Sequence, residues 1–292
     1  MKAQLECIPC MMSQALRAAK AATNDKKLIR EVLNRVGEEI KDIHLEKSTP
    51  PEAAVPIYQI VTDVTGVEDP YKNTKKKHIK EALTLYPLMM KKVEQSKNPL
   101  KEAVKIAIAG NAIDLGSTKD KIDITKEFER IENSLFYLDE FNAFEERIEK
   151  EKEILYLADN AGETVFDRPL IEFLAQKNKK IYYAVKEKPI INDATHLDAE
   201  LSGIKEEIIS TGSSVAGTIL DYCSKEFVNF FTKATFIIAK GQGNYESLSN
   251  KKAPIFFLFK VKCKPIAVET GFRVETMLLI KSKYFKNKYN PE

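Results

Sequence analysis

Residues 154–168 read ILYLADNAGETVFDR and contain a change from a buried strand to a helix. The apolar run 154–157 has the length and composition of a strand, and a helical pattern, PLIEFLA, follows the stretch. Asp159, Asn160 and Glu163 therefore lie where a strand ends and a helix begins. In open α/β sheets, ligands bind in the crevice at the carboxyl ends of the strands. The stretch predicts an α/β fold with a ligand site at this strand end.

An acid, an amide and a second acid at one strand end offer oxygen atoms to a hard cation such as Mg2+ or Mn2+. The alternative is local, since Asp159 or Asn160 also suits an Asx-turn that caps the next helix. The two explanations differ in whether other loops bring polar groups to the same place.

The composition is that of a globular protein, with 292 residues, 43% hydrophobic and 30% charged. The net charge is only +3, from 46 basic and 43 acidic residues, so we expect no nucleic-acid partner. The apolar runs are shorter than a membrane span requires, so we expect no membrane partner. The first ten residues, MKAQLECIPC, lack the apolar core of a signal peptide, which predicts a cytoplasmic protein.

The first half of the chain has apolar residues at helical spacing, which predicts a helical N-terminal region over residues 1–148. The breaks between its helices are polar or proline-rich, as at residues 48–52 and 98–99. A short basic run, Lys75 to Lys77, lies on one predicted helix, and we expect it to form a solvated face. The predicted helices cover residues 11–23, 27–43, 74–95, 100–115 and 126–150.

From residue 149 to residue 292 the pattern predicts an α/β domain that binds metal and phosphate, because short β-branched and aromatic runs alternate with helical segments. Such alternation indicates βαβ units in a mainly parallel, three-layer α/β/α sheet. The predicted strands are residues 154–157, 180–185, 208–210, 236–239 and 255–259. The predicted helices are residues 166–177, a short one from 193, residues 215–231 and a turn near 246.

Polar residues follow each of the first four predicted strands, and a parallel sheet places these loops at one edge. The residues after the later three strands include Lys186, Asn192, Asp193, Thr211, Gly212, Ser213, Lys240, Gly241 and Gly243. We expect Asp159, Asn160 and Asp193 to hold one divalent metal ion, with open positions for water and for a substrate phosphate. The convergence of four loops favours a binding site over isolated helix caps.

The remaining loop residues suit an anion. Lys186 and Lys240 suit phosphate oxygens, and residues 211–214 at the start of a predicted helix offer N–H groups to an anion. A cation, ammonium groups and such a turn together favour phosphoryl chemistry. Ordinary roles are the alternative: solvated strand ends for the lysines, a turn glycine at Gly212 and a helix cap at Asp193.

Two other ligand chemistries fit less well. Gly241 and Gly243 resemble part of a dinucleotide fingerprint, but Glu246 occupies the position of the third glycine. Haloacid-dehalogenase-type enzymes place two aspartates one residue apart after the first strand, and here that spacing from Asp159 reaches Ala161. An aspartyl-phosphate intermediate of that kind is therefore not expected, and a metal-activated water is the simpler nucleophile.

Five motifs resemble those of the metal-dependent damage-control phosphatases, long catalogued as domain of unknown function 89. They are GNAIDLG (110–116), LADNAGE (157–163), NDAT (192–195), STGSS (210–214) and KGQGN (240–244). The motifs follow the family's order from Gly110 to about Cys263, and Cys7-x-x-Cys10 and the chain length resemble the small, stand-alone prokaryotic branch.

The resemblance implies a hydrolase of phosphate monoesters of small metabolites, such as sugar phosphates or damaged phosphometabolites. It implies one divalent ion (Mn2+, Co2+, Ni2+ or Mg2+), and Glu163 is predicted to orient Asn160 or the attacking water. The residues that the family's motifs place at the site are Asp159, Asn160 and Asp193 on the metal, Lys240 on the phosphate, and Asn111 and Asp114 beside them. A non-catalytic metal- or phosphometabolite-binding protein and a carboxyl methyltransferase are the alternatives.

The four cysteines do not form the two pairs that a structural zinc site usually requires. We expect Cys7 and Cys10 to be structural, with metal binding or a redox bridge as alternatives. Cys223 lies on the apolar face of a predicted helix, which predicts a core position.

Overall fold

The computed structural model describes residues 1–111 and 134–283. Its helices are α1 (Cys7–Ala22), α2 (Lys26–Glu39), α3 (Pro50–Thr65), α4 (Lys72–Gln95), α5 (Pro99–Gly110), α6 (Phe141–Lys150), α7 (Thr164–Gln176), α8 (His196–Leu201), α9 (Lys225–Lys233), α10 (Gln242–Leu248) and α11 (Lys264–Thr270). Its strands are β1 (Phe136–Tyr137), β2 (Glu153–Leu157), β3 (Lys180–Val185), β4 (Glu207–Ser210), β5 (Ile237–Lys240), β6 (Ile255–Lys260) and β7 (Met277–Lys281).

Strand β2 lies inside a sheet with the order β1-β7-β6-β5-β2-β3-β4. It pairs in parallel with β3 on one side and with β5 on the other. The chain therefore adds β3 and β4 to one side of β2, and β5 and β6 to the other. In open α/β sheets, ligands bind in the crevice where the strand order reverses. In this sheet that crevice lies between the carboxyl ends of β2 and β5.

At one edge of the sheet, strands β1 and β7 run antiparallel to the other five strands. Strand β7 pairs antiparallel with β6, and β1 pairs in parallel with β7. The remaining pairs are parallel, so the predicted mainly parallel α/β sheet is confirmed.

Alternate residues of β2 face two different cores, which produces the three layers. Ile154 and Tyr156 pack in a core with buried residues of α4, α5 and α7. Leu155 and Leu157 pack on the opposite face with residues of α9, α10 and α11. A strand that is buried on both faces has a continuous apolar sequence, which explains the run before Asp159.

Helices α1 to α3 form a core of their own, with Val32 and Ile57 fully buried in it. Ile190 and Ile191, from the loop after β3, pack against this core. Helices α4 and α5 share their core with the sheet. The predicted boundary between residues 148 and 149 stays a prediction.

The break predicted at residues 48–52 is correct for its first two residues and wrong for the rest, because α3 begins at Pro50. Thr49 and Glu52 form a capping box, with the Glu52 carboxylate accepting from the Thr49 amide at 2.6 Å. The two prolines occupy the first turn, where the missing N–H groups have no partner within the helix in any case. Proline here starts a helix rather than ending one.

Within its described part, the helix predicted over residues 126–150 is correct for Phe141–Lys150 and wrong for the residues before it. Residues 134–150 contain strand β1 followed by helix α6, so one short strand lies within the region predicted to be helical. Strand β7 was not predicted either. Helix α3 was not predicted. Helices α1, α2, α4 and α5 match their predictions within a few residues, and the end of the helix predicted over 100–115 lies outside the described residues.

The helix predicted over residues 215–231 is wrong in its first half. The chain is irregular through residues 211–219, forms a short 3₁₀ helix at Leu220–Tyr222, and begins α9 only at Lys225. Gly217 has φ +65°, which an α-helix does not allow, and a Cβ on it would lie 2.3 Å from Ser247 Oγ. Cys223 therefore lies before α9, half-buried against the core rather than on a helix face.

The solvated face predicted for the basic run is correct for Lys76 and Lys77 and wrong for Lys75. Lys76 and Lys77 are exposed, whereas Lys75 is only 3% exposed and contacts two aspartates. In residues 1–111 and 134–283, none of the helices has the combination of length and apolar character that crossing a bilayer requires.

The contact between α5 and α7 generates the first prediction. A Cβ on Gly110 would lie 2.7 Å from the Phe166 Cβ, so Gly110→Ala forces the two helices apart. We expect a loss of about 1–3 kcal/mol in the free energy of unfolding, measured by urea denaturation. Gly37→Ala, in α2 with nothing within 4 Å, is the control and should be neutral or stabilising. Equal losses in the two variants would contradict the packing argument.

Candidate functional site

Backbone hydrogen bonds join the Asp159–Asn160 segment after β2 to the Asp193 segment after β3. The amide of Ala194 donates to the carbonyl oxygen of Asp159 at 2.8 Å, and an antiparallel bridge pairs Asn160 with Asp193. Asp193 is buried, whereas Asp159 and Asn160 are partly exposed. The fold thus brings the three predicted metal ligands together at the carboxyl end of β2.

The loop after β3 also places Asn192 at this junction. Asn192 is partly exposed, and its carbonyl oxygen accepts from the Ala161 amide at 2.8 Å. Its backbone therefore ties the loop after β3 to the segment after β2.

Glu163 accepts hydrogen bonds from two amide side chains. Its Oε1 accepts from Asn160 Nδ2 at 2.5 Å and from Asn111 Nδ2 at 2.8 Å. The same two nitrogens donate to Asp159 Oδ2, at 3.0 Å and 2.9 Å respectively. Because the nitrogen of Asn160 faces the two carboxylates, its oxygen points away from them, which is the orientation that a metal ligand needs.

Asn111 connects this cluster to α5 and β6. It lies at the carboxyl end of α5, is buried, and accepts from the Lys260 amide through Oδ1 at 3.2 Å. All of its polar side-chain atoms are thereby used within the protein. Asp114, the other residue predicted from the GNAIDLG motif, lies outside the described residues.

Lys240 is fully buried at the end of β5. Its ammonium lies 2.5 Å from Asp167 Oδ1 and 3.5 Å from Glu163 Oε2. Tyr156 and Tyr183 each donate a hydroxyl hydrogen bond to Asp167 at 2.8 Å. This position does not support the predicted direct contact of Lys240 with phosphate, because the ammonium lies behind Glu163 and is already paired.

Burial and neighbouring charges both shift the pKa values of Asp159, Asp193 and Lys240. Burial, followed by the charges of Glu163 and Asp193, raises the pKa of Asp159 well above its usual value. Burial raises the pKa of Asp193 to about 6, although the Lys186 ammonium opposes that rise. Burial disfavours the charged form of Lys240, but the carboxylates of Asp167 and Glu163 outweigh it and raise its pKa. Asp159 and Asp193 therefore favour a further nearby cation.

The segment predicted to bind an anion, residues 211–214, uses its first three N–H groups within the protein. The amide of Thr211 donates to Val185 at 2.9 Å, that of Gly212 to Ser210 Oγ at 2.9 Å, and that of Ser213 to Thr211 Oγ1 at 3.3 Å. No long helix starts here, so the predicted cradle at a helix N-terminus is wrong. A Cβ on Gly212 would meet Ser224, which makes this glycine a packing residue.

Lys186 links this segment to Asp193. Its ammonium is buried, donates to the carbonyl oxygen of Gly217, and lies 3.7 Å from Asp193 Oδ2. It is therefore an ion-pair partner of a predicted ligand and not a solvated strand end.

Three residues that lie in or beside this cluster were not predicted from the sequence. Asp167 pairs with Lys240, and Asn244 donates to the carbonyl oxygens of Ala158 and Lys240 at 3.1 Å and 2.8 Å. Lys262 is exposed, and its charge lowers the pKa of Asp159 against the larger effect of burial. Asp167 had a detectable signal, since it is an acid four residues after Glu163, in the first turn of the helix that follows the LADNAGE motif.

The four cysteines, all of them among the described residues, form no disulfide. All four are free; Cys10 is exposed and the other three are half-buried. Gln242 Nε2 contacts Cys263 Sγ at 3.5 Å and Glu246 Oε1 at 2.8 Å, so Cys263 borders the loop after β5.

The donor set fits a hard divalent cation. Within the two described ranges, no group of three or more histidine, cysteine, aspartate and glutamate side chains is arranged as a metal site. The predicted set instead has two carboxylates and one amide, so water or substrate oxygens must complete the coordination. The charged groups of the cluster are Asp159, Glu163, Asp167, Asp193, Lys186 and Lys240. When all are ionised they leave two negative charges, which a divalent cation balances.

Comparison with protein-family models matches residues 3–278 to the damage-control phosphatase ARMT1-like domain. The match includes every described residue of the cluster. The chain belongs to this family. The resemblance inferred from five short motifs is therefore confirmed, and the phosphatase class is confirmed at the level of the family.

Relatives within the family are similar over their full lengths. A damage-control phosphatase of Pyrococcus horikoshii is 34% identical over 288 residues, covering 97% of this chain and 99% of the relative. A damage-control phosphatase of Archaeoglobus fulgidus is 32% identical over 289 residues, covering 95% and 98%. A crystal structure of a DUF89 family protein from P. horikoshii superposes with a TM-score of 0.88 at 34% identity, covering 97% of this chain and 100% of that chain.

The loop after β5 generates the second prediction. Gly241 has φ +81° and ψ 158°, and a Cβ on it would lie 1.9 Å from Asp159 Oδ2. We expect Gly241→Ala to displace Asp159 and to lower the free energy of unfolding by about 2–5 kcal/mol, measured by urea denaturation. Gly271→Ala is the control, with φ +76° and nothing within 4 Å, and should cost about 1 kcal/mol. A Gly241→Ala loss no larger than the control's would disprove the clash with Asp159.

Proposed function

We propose that this protein is a metal-dependent phosphatase that hydrolyses phosphate monoesters of small metabolites, such as sugar phosphates or damaged phosphometabolites. The observation that carries the proposal is the convergence of Asp159, Asn160 and Asp193 at the reversal of strand order, in a chain of the damage-control phosphatase family. The two relatives that bear the name damage-control phosphatase support the reaction class. We keep the cytoplasm as its proposed location.

Asp159, Asn160 and Asp193 would hold the metal ion, and Mn2+, Co2+, Ni2+ or Mg2+ suits their oxygen atoms. When bound, such an ion supplies a Lewis acid and lowers the pKa of water, which makes hydroxide available near neutral pH. Glu163 fixes the amide of Asn160 by accepting from its nitrogen, so that the oxygen faces the crevice. The raised pKa values of Asp159 and Asp193 support this role, because these groups gain most from a nearby cation.

Phosphate recognition needs positive charge that the solvent can reach. Lys240 and Lys186 are buried and already paired, so we assign them to holding Glu163 and Asp193 in place. Lys262 is exposed, and its charge acts on Asp159. We therefore propose Lys262 as the residue that attracts the substrate phosphate towards the predicted ligands.

The alternative functions predict different measurements. A non-catalytic phosphometabolite-binding protein would bind metal without turnover. A carboxyl methyltransferase would act without added metal and would consume a methyl donor. Phosphate release that depends on metal separates the proposed phosphatase from both.

The third prediction is metal-dependent turnover that is lost with the ligands. Metal-stripped protein should release phosphate from p-nitrophenyl phosphate and from sugar phosphates only after Mn2+, Co2+, Ni2+ or Mg2+ is added. Asp159→Asn and Asp193→Asn should each lower kcat/KM by more than about a hundredfold, because even residues behind a metal ligand typically contribute ten- to a hundredfold. Phosphate release and metal binding are both measured.

Asp221→Asn is the matched control, since Asp221 is an exposed aspartate outside the site. It should retain the activity of the unaltered protein. Near-normal activity in Asp159→Asn or Asp193→Asn would reject the metal assignment. Metal binding without phosphate release from any substrate would favour the binding protein.

A further inference from the structure

Lys75 is a buried cation far in sequence from the site. Its ammonium lies 3.1 Å from Asp69 Oδ2 and 3.1 Å from Asp198 Oδ2. Asp69 precedes α4, whereas Asp198 lies on α8, directly after the NDAT motif. The Lys75–Asp198 pair therefore ties the helical first half of the chain to a loop that carries a proposed metal ligand.

The carboxylate oxygen of Asp198 that contacts Lys75 also binds Thr195. Asp198 Oδ2 accepts from the amide of Thr195 at 3.0 Å and from its hydroxyl at 2.7 Å. Thr195 follows Asp193 by two residues, and Ala194 between them donates to the carbonyl oxygen of Asp159. A continuous set of bonds thus runs from Lys75 to the point where Asp193 meets Asp159.

The loop that carries Asp193 has a conformation that requires support from outside. Ile191 has φ +48°, which β-branched residues rarely adopt. Such backbone persists only where the surroundings hold it. Ile190 and Ile191 pack against the core of α1 to α3, and Lys75 holds the loop's other end through Asp198.

We propose that Lys75 is a positioning residue, which acts through Asp198 and Thr195 to hold Asp193 against Asp159. The inference rests on the proposed function only in taking Asp193 as a metal ligand. The positioning itself concerns the protein before any metal binds. The helical first half would then set the geometry of the metal site as well as cover it.

The fourth prediction concerns metal-free protein and hydrogen exchange of the backbone amides. In Lys75→Met, the amides of Ala194 and Thr195 should exchange roughly tenfold faster, because their bonds to Asp159 and Asp198 open more often. Amides of β3 and α7 should keep their rates. Lys76→Met is the matched control, since Lys76 is the exposed neighbour, and it should change none of these rates. Unchanged exchange at Ala194 and Thr195 in Lys75→Met would overturn the proposal.

A double variant separates positioning from simple stability. Lys75→Met leaves the Asp198 charge buried and unpaired, which lowers Tm, whereas Lys75→Met with Asp198→Asn removes both buried charges and leaves only the partly exposed Asp69 without its ammonium. The amide oxygen that replaces the Asp198 carboxylate still accepts from Thr195, so Tm should recover in the double variant. Mn2+ affinity, measured by calorimetry, should stay about ten- to a hundredfold weaker than in the unaltered protein.

Recovery of Mn2+ affinity together with Tm would overturn positioning in favour of a purely structural ion pair. If the unaltered protein binds no Mn2+, the proposed metal site fails. The exchange rates of Ala194 and Thr195 then decide the role of Lys75 on their own.

Discussion

The carboxylate of Glu163 joins three distant parts of the chain. It accepts from Asn111 at the end of α5 and from Asn160 after β2, and it contacts Lys240 at the end of β5. These groups are largely excluded from water, so each depends on the others for its hydrogen bonds. The orientations of the Asn111 and Asn160 amides and the position of the Lys240 ammonium all serve to satisfy this one buried group.

The carboxylate of Asp167 makes it possible for Lys240 to be buried beside Glu163. Lys240 has no exposure to solvent, and a lone buried ammonium would be strongly disfavoured. Asp167 supplies the opposite charge, and two tyrosine hydroxyls satisfy that carboxylate in turn. The charged groups of the cluster are thus mostly buried and satisfy one another. Only Asp159 and its neighbour Asn160 are partly exposed to solvent.

Much of the sheet and the convergence of Asp159, Asn160 and Asp193 followed from local patterns. Strands β2, β3, β5 and β6 are buried on both faces along most of their length, so their apolar runs identify them, and parallel pairing then places their loops together. Strand β1 has only two residues, at the edge of the sheet, and no local pattern records it. Strand β7 does have a short apolar run, MLLI from Met277, which was not recognised as a strand. The burial of Lys75 and Lys240 depends on which helix or strand packs over them. The neighbouring sequence does not distinguish a buried lysine from an exposed one.

The strand order also constrains how the protein is made. The ribosome releases β2, β3 and the carboxylates of Glu163 and Asp167 well before it releases β5 with Lys240. Until then the nascent chain has an open β2 edge and an acidic cluster without its buried lysine. An unpaired edge is a site for mispairing with other chains. The interval between residues 157 and 240 is therefore the stretch of synthesis during which this chain most needs protection by chaperones.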